Sequence, residues 1–170
     1  MKLGAKSMEG KDSMLYALKR GGCLVKIYLD VCCLSRPFDD QFQDRIKIET
    51  DAILSILTHC KIGEWELVGS EAIDIEISKI PDDEKREKIN TLRSIANFRV
   101  AIDNEVEKRA VEISQLKIYS YDALHIACAE RSKADIMLTT DDFLLKKAMQ
   151  YMDSLMLRVE NPVKWLMEVM

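Results

Sequence analysis

Four acids at the edges of apolar runs carry the chemistry this sequence offers: Asp30, Glu76, Asp122 and Asp141. Asp30 closes the run Lys26-Ile27-Tyr28-Leu29-Asp30, which has β-branched and aromatic side chains, no helical period, and the look of a buried strand. An acid at the C-terminal end of a central parallel strand sits where open α/β sheets place their ligands. The other three acids fall at or just beyond the edge of an expected element. Carboxylates are the hard oxygen donors that Mg²⁺ and Mn²⁺ prefer. Like charges crowded together are costly unless a cation joins them or their pKa values rise. Convergence of the four therefore predicts a divalent-metal site. Each acid also has a plain structural use. Asp30 alone suits a turn or cap after a strand. Asp122 beside Ser120, and the pair Asp141-Asp142, suit helix starts, where an acid meets the helix dipole. His125, one turn on from Asp122, reads as a packed or surface histidine, because hard-metal sites rarely want imidazole. His59 reads as a surface residue.

The elements that must position these acids alternate. Strands are expected at 26–30, 64–69, 134–139 and 155–159, with 98–102 a short strand or an extended connection. A helix over 43–61 has Ile46, Ile53, Leu57 and Cys60 on one face and stops at Gly63. Ser70 is expected to cap a helix carrying Ile73, Ile77 and Ile80 and ended by Pro81. The Asp82-Asp83-Glu84 run opens a solvated helix to about residue 96. Asp103 caps the next helix, and Ser120 caps an apolar, buried one over 121–131. A helix over 141–149 follows, and Asn161-Pro162 opens the last. Strands separated by helices predict a three-layer α/β/α architecture around a mainly parallel sheet of four to five strands.

At 170 residues the chain is about one domain long. Residues 1–23 differ in composition and read as an N-terminal extension, with Ser13 capping a short helix that stops at Gly21. The domain proper is expected over 24–170. A net charge of −4 argues against a protein wrapped by nucleic acid through bulk electrostatics, but not against a nuclease whose metal offsets clustered acids. No apolar run is long enough to span a membrane, the N-terminus lacks a signal-peptide core, and five cysteines without C-x-x-C spacing read as small buried hydrophobes. A reducing cytoplasmic location is expected.

Four motifs together resemble the PIN-domain family, which includes the toxin ribonucleases of toxin–antitoxin pairs. They are Ile27-Tyr28-Leu29-Asp30; Ser70 followed six residues later by Glu76; Tyr121-Asp122-Ala123-Leu124-His125-Ile126-Ala127; and Leu138-Thr139-Thr140-Asp141. The resemblance runs from Leu24 to the C-terminus. It implies that Asp30, Glu76, Asp122 and Asp141 are metal-binding catalytic acids, that Asp142 is an auxiliary ligand, and that the Thr139 hydroxyl supports the site. Within the helix that also holds Glu71 and Asp74, the family spacing selects Glu76 as the inward acid. The implied activity is Mg²⁺- or Mn²⁺-dependent cleavage of RNA phosphodiesters. The implied partners are an RNA substrate, an antitoxin protein and a second copy in a homodimer. The chain departs from the family after the first acid, where Thr or Ser and then Ser or Asn are usual. Here Val31 and Cys32 occupy those positions, and a thiol donates only weakly. A non-catalytic PIN-like module that binds nucleic acid or protein is the alternative. Two other acid-based classes fail at the same residues. A haloacid-dehalogenase-type phosphatase needs an Asp where Cys32 stands, and a receiver domain needs an acidic pair where Val31 stands.

Overall fold

The computed structural model describes residues 23–170. The helix expected between Ser13 and Gly21 lies outside the described residues. Five strands form one parallel sheet in the order β3-β2-β1-β4-β5. They are β1 (Val25–Leu29), β2 (Trp65–Ser70), β3 (Phe98–Val100), β4 (Ile136–Leu138) and β5 (Arg158–Glu160). Every neighbouring pair runs parallel, with Ile27 level with Leu67 on one side and with Ile136 on the other. Among the described residues, eight α-helices flank the sheet: α1 (Val31–Ser35), α2 (Asp44–Lys61), α3 (Glu71–Ser78), α4 (Asp83–Arg93), α5 (Asn104–Ser114), α6 (Ser120–Arg131), α7 (Asp142–Gln150) and α8 (Pro162–Val169). The expected three-layer arrangement is therefore present, and the short apolar run near residue 98 is a strand. No helix among the described residues is long and apolar enough to cross a membrane.

The strand order fixes where a ligand belongs. From β1 the chain moves outward through β2 and β3, then crosses to β4 on the other side of β1. Connections leave β1 and β4 in opposite directions, so a crevice opens at their carboxyl ends. Asp30 is the residue after β1, Thr139 is the residue after β4, and Ser70 ends β2. Buried apolar residues hold these ends in place. Ile27, Tyr28 and Leu29 are fully buried or nearly so, as are Val68, Met137 and Leu138 on the adjoining strands. Strand alternation puts Tyr28 and Asp30 on one face of the sheet. α6 packs on β2, β4, α3 and α5, while α2 packs on β2 and α8.

Local chemistry explains most boundaries. Ser70, Asp82, Asp103 and Asn161 each accept a backbone N–H two or three residues on and cap α3, α4, α5 and α8. Gly63, at a φ of 82°, supplies the left-handed residue after α2. The structure also corrects several expectations. Ser120 does not cap α6. It is the first helical residue, at a φ of 54°, and Tyr119 occupies the cap position without a side-chain bond. α3 ends at Ser78, so Ile80 lies beyond it, and α4 stops at Arg93. The last strand is Arg158–Glu160, later than expected, because Met152–Ser154 forms a 3₁₀ turn first. Two short pieces follow Asp30 before α2: α1 and a 3₁₀ turn over Arg36–Phe38. The cysteines are not uniformly buried. Cys33 and Cys128 are, Cys32 and Cys60 are half-buried, and Cys23 is exposed; all five are free thiols.

Candidate metal centre

Asp30 is held by both its backbone and its side chain. Its N–H donates to the Leu138 carbonyl at 3.0 Å, extending the β1–β4 ladder by one residue. Its carbonyl accepts from Cys33 and Leu34, which starts α1. Its carboxylate caps nothing. Instead Oδ2 accepts from the Thr139 hydroxyl at 2.9 Å and from the Cys32 thiol at 3.2 Å. Thr139 Oγ1 also accepts the Asp141 N–H at 3.1 Å, and Cys32 Sγ accepts the Thr140 N–H at 3.3 Å. The thiol and the hydroxyl thus tie the end of β1 to the segment after β4 and aim one carboxylate. Oδ1 faces the other way, 3.8 Å from His125 Nε2.

α3 offers three acids, and their neighbours sort them. Glu71 accepts the Ile102 N–H at 2.8 Å. Asp74 is taken by Arg93 at 3.2 Å and Arg99 at 2.5 Å. Glu76 alone turns to the centre, where its Oε2 lies 2.5 Å from His125 Nε2. Ligating atoms of Asp30, Glu76 and His125 all fall within 4.8 Å of one another. Asp122, in the first turn of α6, has its pKa pushed up to about 6. Burial is the main cause; the charges of Asp30, Asp141 and Glu76 add to it, and His125 opposes them. Asp122 and Asp141 are not part of the 4.8 Å group, but the charges of Asp30, Asp141 and Glu76 reach Asp122. Asp141 does double service, since its Oδ1 caps α7 by accepting from Phe143 at 2.8 Å and Leu144 at 3.1 Å.

Asp142 faces away from this group. Arg45 grips both its oxygens at 2.7 Å, holding its pKa below the usual carboxylate value, and also reaches the Thr140 carbonyl at 3.3 Å. Arg45 is in turn anchored by buried Glu49, which Arg36 also meets at 2.9 Å. The contacts of Arg45 and of His125 join residues far apart in sequence. That residue is fully buried, with Nδ1 2.7 Å from the Tyr28 hydroxyl, and Tyr28 is 2.7 Å from Ser70 Oγ. Two signals for it were in the sequence: the i, i+3 spacing from Asp122 and the strand alternation that pairs Tyr28 with Asp30. The His125 pKa is raised; burial opposes the imidazolium, but the Glu76 bond and the charges of Asp30 and Asp122 outweigh it.

The donor set suits a hard divalent ion. Carboxylate oxygens dominate it, and the charges of Asp30, Asp141 and Glu76, which add to the effect of burial on Asp122, are ones a cation would offset. The hydroxyl-bearing pattern missing after Asp30 is partly replaced by Cys32, whose sulfur makes the bonds to Asp30 and Thr140. An oxygen there donates more strongly than a thiol. Cys32→Ser is therefore expected to keep the fold, as judged by an unchanged circular dichroism spectrum. Divalent-ion affinity, measured by calorimetry, should be equal to wild type or up to about tenfold tighter. A loss of affinity would mean that the sulfur itself is needed.

Comparison with known proteins bears on the same residues. The family model described as "PIN domain" matches residues 27–148, which include all four acids. No curated protein matches. Among solved structures, one similar chain is from VapBC2 of Rickettsia felis, solved bound to a DNA fragment from their promoter. The match has a TM-score of 0.53 at 14% identity and covers 81% of this chain and 98% of that one. A likeness at that identity speaks for the fold.

Proposed function

The chain belongs to the PIN-domain family, and from that premise we propose that it is a divalent-metal-dependent endoribonuclease. Support for the proposal comes from Asp30 and Glu76, which meet with His125 within 4.8 Å at the switch point of the sheet, and from nearby Asp122, which feels the charges of Asp30, Asp141 and Glu76. We assign these four as the catalytic, metal-holding acids, with Mg²⁺ or Mn²⁺ as the ion. Asp142 belongs to Arg45. The bound ion supplies Lewis-acid polarisation of the phosphodiester and activation of water at neutral pH.

The chain's own residues do the rest. Thr139 and Cys32 hold Asp30 Oδ2, which leaves Oδ1 for the ion. The Asp141 cap rigidifies its carboxylate and commits Oδ1, leaving Oδ2 as the ligating oxygen. Arg45 is half exposed beside Thr140 and Asp142, where its guanidinium can steady a phosphate by exchanging its bonds to Asp142. Lys79 lies 5.0 Å over the ring of Tyr121, the residue before Asp122, and is a second cation for the backbone in this reading. These few fixed cations, and not bulk charge, are what a chain of net charge −4 can offer to RNA. We further propose a cytoplasmic toxin role with an antitoxin partner and a homodimeric state. Support for the partner is the VapBC2 likeness in fold. Exposed Met167 and Met170 at the end of α8 suit a covered surface.

The thiol contacts to Asp30 favour the catalytic reading over the silent binding module, since the first acid remains oriented. The direct test is cleavage of a mixed-sequence single-stranded RNA, with DNA of the same sequence as control. Cleavage with millimolar Mn²⁺, abolished by EDTA and absent on DNA, is the expected result. RNA left intact in Mn²⁺ and in Mg²⁺ would defeat the proposal.

A further inference from the structure

His125 is buried, polar, and not among the acids assigned to the ion. Its contacts form a closed circuit. Ser70 Oγ accepts the Ile73 N–H at 3.1 Å and so caps α3. The same oxygen is 2.7 Å from the Tyr28 hydroxyl, which is 2.7 Å from His125 Nδ1. His125 Nε2 then meets Glu76 Oε2 at 2.5 Å, near the end of α3. One helix is thus clipped at its start and near its end by the same buried chain, through a strand and a second helix. The partners lie 42, 97 and 49 residues apart in sequence, so only the tertiary fold makes this circuit.

Donors and acceptors leave one consistent arrangement for a neutral ring. An ionised carboxylate only accepts, so Nε2 carries the hydrogen toward Glu76. Nδ1 is then an acceptor, and the Tyr28 O–H donates to it. The Ser70 O–H donates to the Tyr28 oxygen, while Ser70 Oγ keeps its bond from Ile73. Every polar atom in the circuit is satisfied, as burial requires. At 2.5 Å, Nε2 and Oε2 are also too close to be two ligands on one ion, because octahedral ligands about 2.1 Å from their metal stand roughly 3 Å apart.

We propose that His125 is a positioning residue: through Nε2–H it fixes the Glu76 carboxylate for the ion, and Tyr28 and Ser70 fix His125. This inference rests on the metal-centre reading above. Carboxylate ligands are commonly held by such outer partners, and losing one typically costs 10–100-fold in metal affinity. Glu76 needs the help because its own side chain is about one-third exposed and sits in the last turn of a short helix.

The test is Mn²⁺ binding by calorimetry on the full chain, with folding checked by circular dichroism. His125→Leu should weaken Mn²⁺ binding 10–100-fold. His125→Gln, whose amide can donate from the Nε2 position, should stay within about threefold of wild type. Tyr28→Phe should weaken binding several-fold and blur the single ring tautomer in the His125 ¹⁵N–¹H spectrum. That spectrum is simple because the chain has 2 histidines. In a Glu76→Gln background, His125→Leu should have no further effect, whereas a merely structural histidine would show its full loss there too. Wild-type affinity in a folded His125→Leu would overturn the inference, as would equal losses in the Gln and Leu variants or an undiminished loss in the Glu76→Gln background. Should His125→Leu not fold, the Gln variant and Tyr28→Phe decide: Mn²⁺ binding weakened as much in Gln as in Glu76→Gln, or unchanged in Tyr28→Phe, overturns it. A wild type that binds no Mn²⁺ overturns the metal centre itself, and this inference with it.

Discussion

Asp122→Asn is expected to lower Mn²⁺-dependent RNA cleavage by two to four orders of magnitude and, in the same sample without metal, to raise the melting temperature. The two effects have one cause. In the metal-free centre, Asp122 lies among Asp30, Asp141 and Glu76, and burial together with those charges lifts its pKa to about 6. Its unfolded value is near the ordinary 3.8. A carboxyl whose folded pKa is raised opposes folding above that pKa, and the penalty vanishes below the unfolded value. At pH 7.5 the penalty is present, and Asn removes it. A two-unit shift on a fully shielded group would be worth about 3 kcal/mol. Asp122 is only half-buried, so solvent screening leaves about 1 kcal/mol. For a chain of this size that is a rise of about 2–4 °C. The activity falls because a ligand is lost, and an ion's share of transition-state stabilisation is several kcal/mol, at about 1.4 kcal/mol per tenfold. Cleavage equal to wild type would remove Asp122 from the centre. Lost cleavage with a falling melting temperature would show that its carboxylate is structural.

The second large effect is on pH dependence. Without metal, the protein should melt at a higher temperature at pH 5.5 than at pH 8. Asp122 and His125 act in the same sense. The Asp122 penalty grows as pH rises from about 3.8 to about 6 and levels off above that, so the last part of its growth falls in this window. The stabilisation from His125, whose pKa is raised, is fully present below its unfolded value near 6.5 and is lost as pH rises through the folded value. The groups with lowered pKa values, such as Asp103 and Glu160, lose stabilisation only below about pH 4.5, outside this window. Mn²⁺ should reverse the trend. At one hundred times its dissociation constant a bound ion adds about 2.7 kcal/mol, or about 5–10 °C here. It should add less at pH 5.5, where protons compete for the ligands. Thermal melts across pH 5.5–8 with and without Mn²⁺ check both halves. A pH-independent metal shift would mean that the ion binds elsewhere.

Much of this was legible in the sequence because it rests on local signals. Apolar runs and cap residues placed the strands and helices, and Ser70, Asp82, Asp103 and Asn161 cap where their types suggest. Asp30, at the end of a β-branched run, marked the carboxyl edge of the sheet. What was missed depends on contacts distant in sequence. Local spacing puts His125 one turn from Asp122, but its contacts with Tyr28 and Glu76 exist only when β1, α3 and α6 pack together. Asp142 looked like a ligand because it neighbours Asp141, yet Arg45, 97 residues away, takes it. α1 was missed because five residues of mostly Val, Cys and Leu carry no period. Ser120 looked like a cap and is instead a helical residue with a positive φ, a backbone choice that its side chain does not announce.

The central claim is that Asp30, Glu76, Asp122 and Asp141 hold one divalent-ion centre. Anomalous diffraction from a crystal soaked in Mn²⁺ tests it most directly. A peak is expected at the carboxyl ends of β1 and β4, with oxygens of Asp30 and at least two of the other three acids about 2.1 Å away, and with His125 Nε2 still bonded to Glu76. A well-ordered crystal with no peak there, or with Mn²⁺ held at Asp142 and away from Asp30, would contradict it.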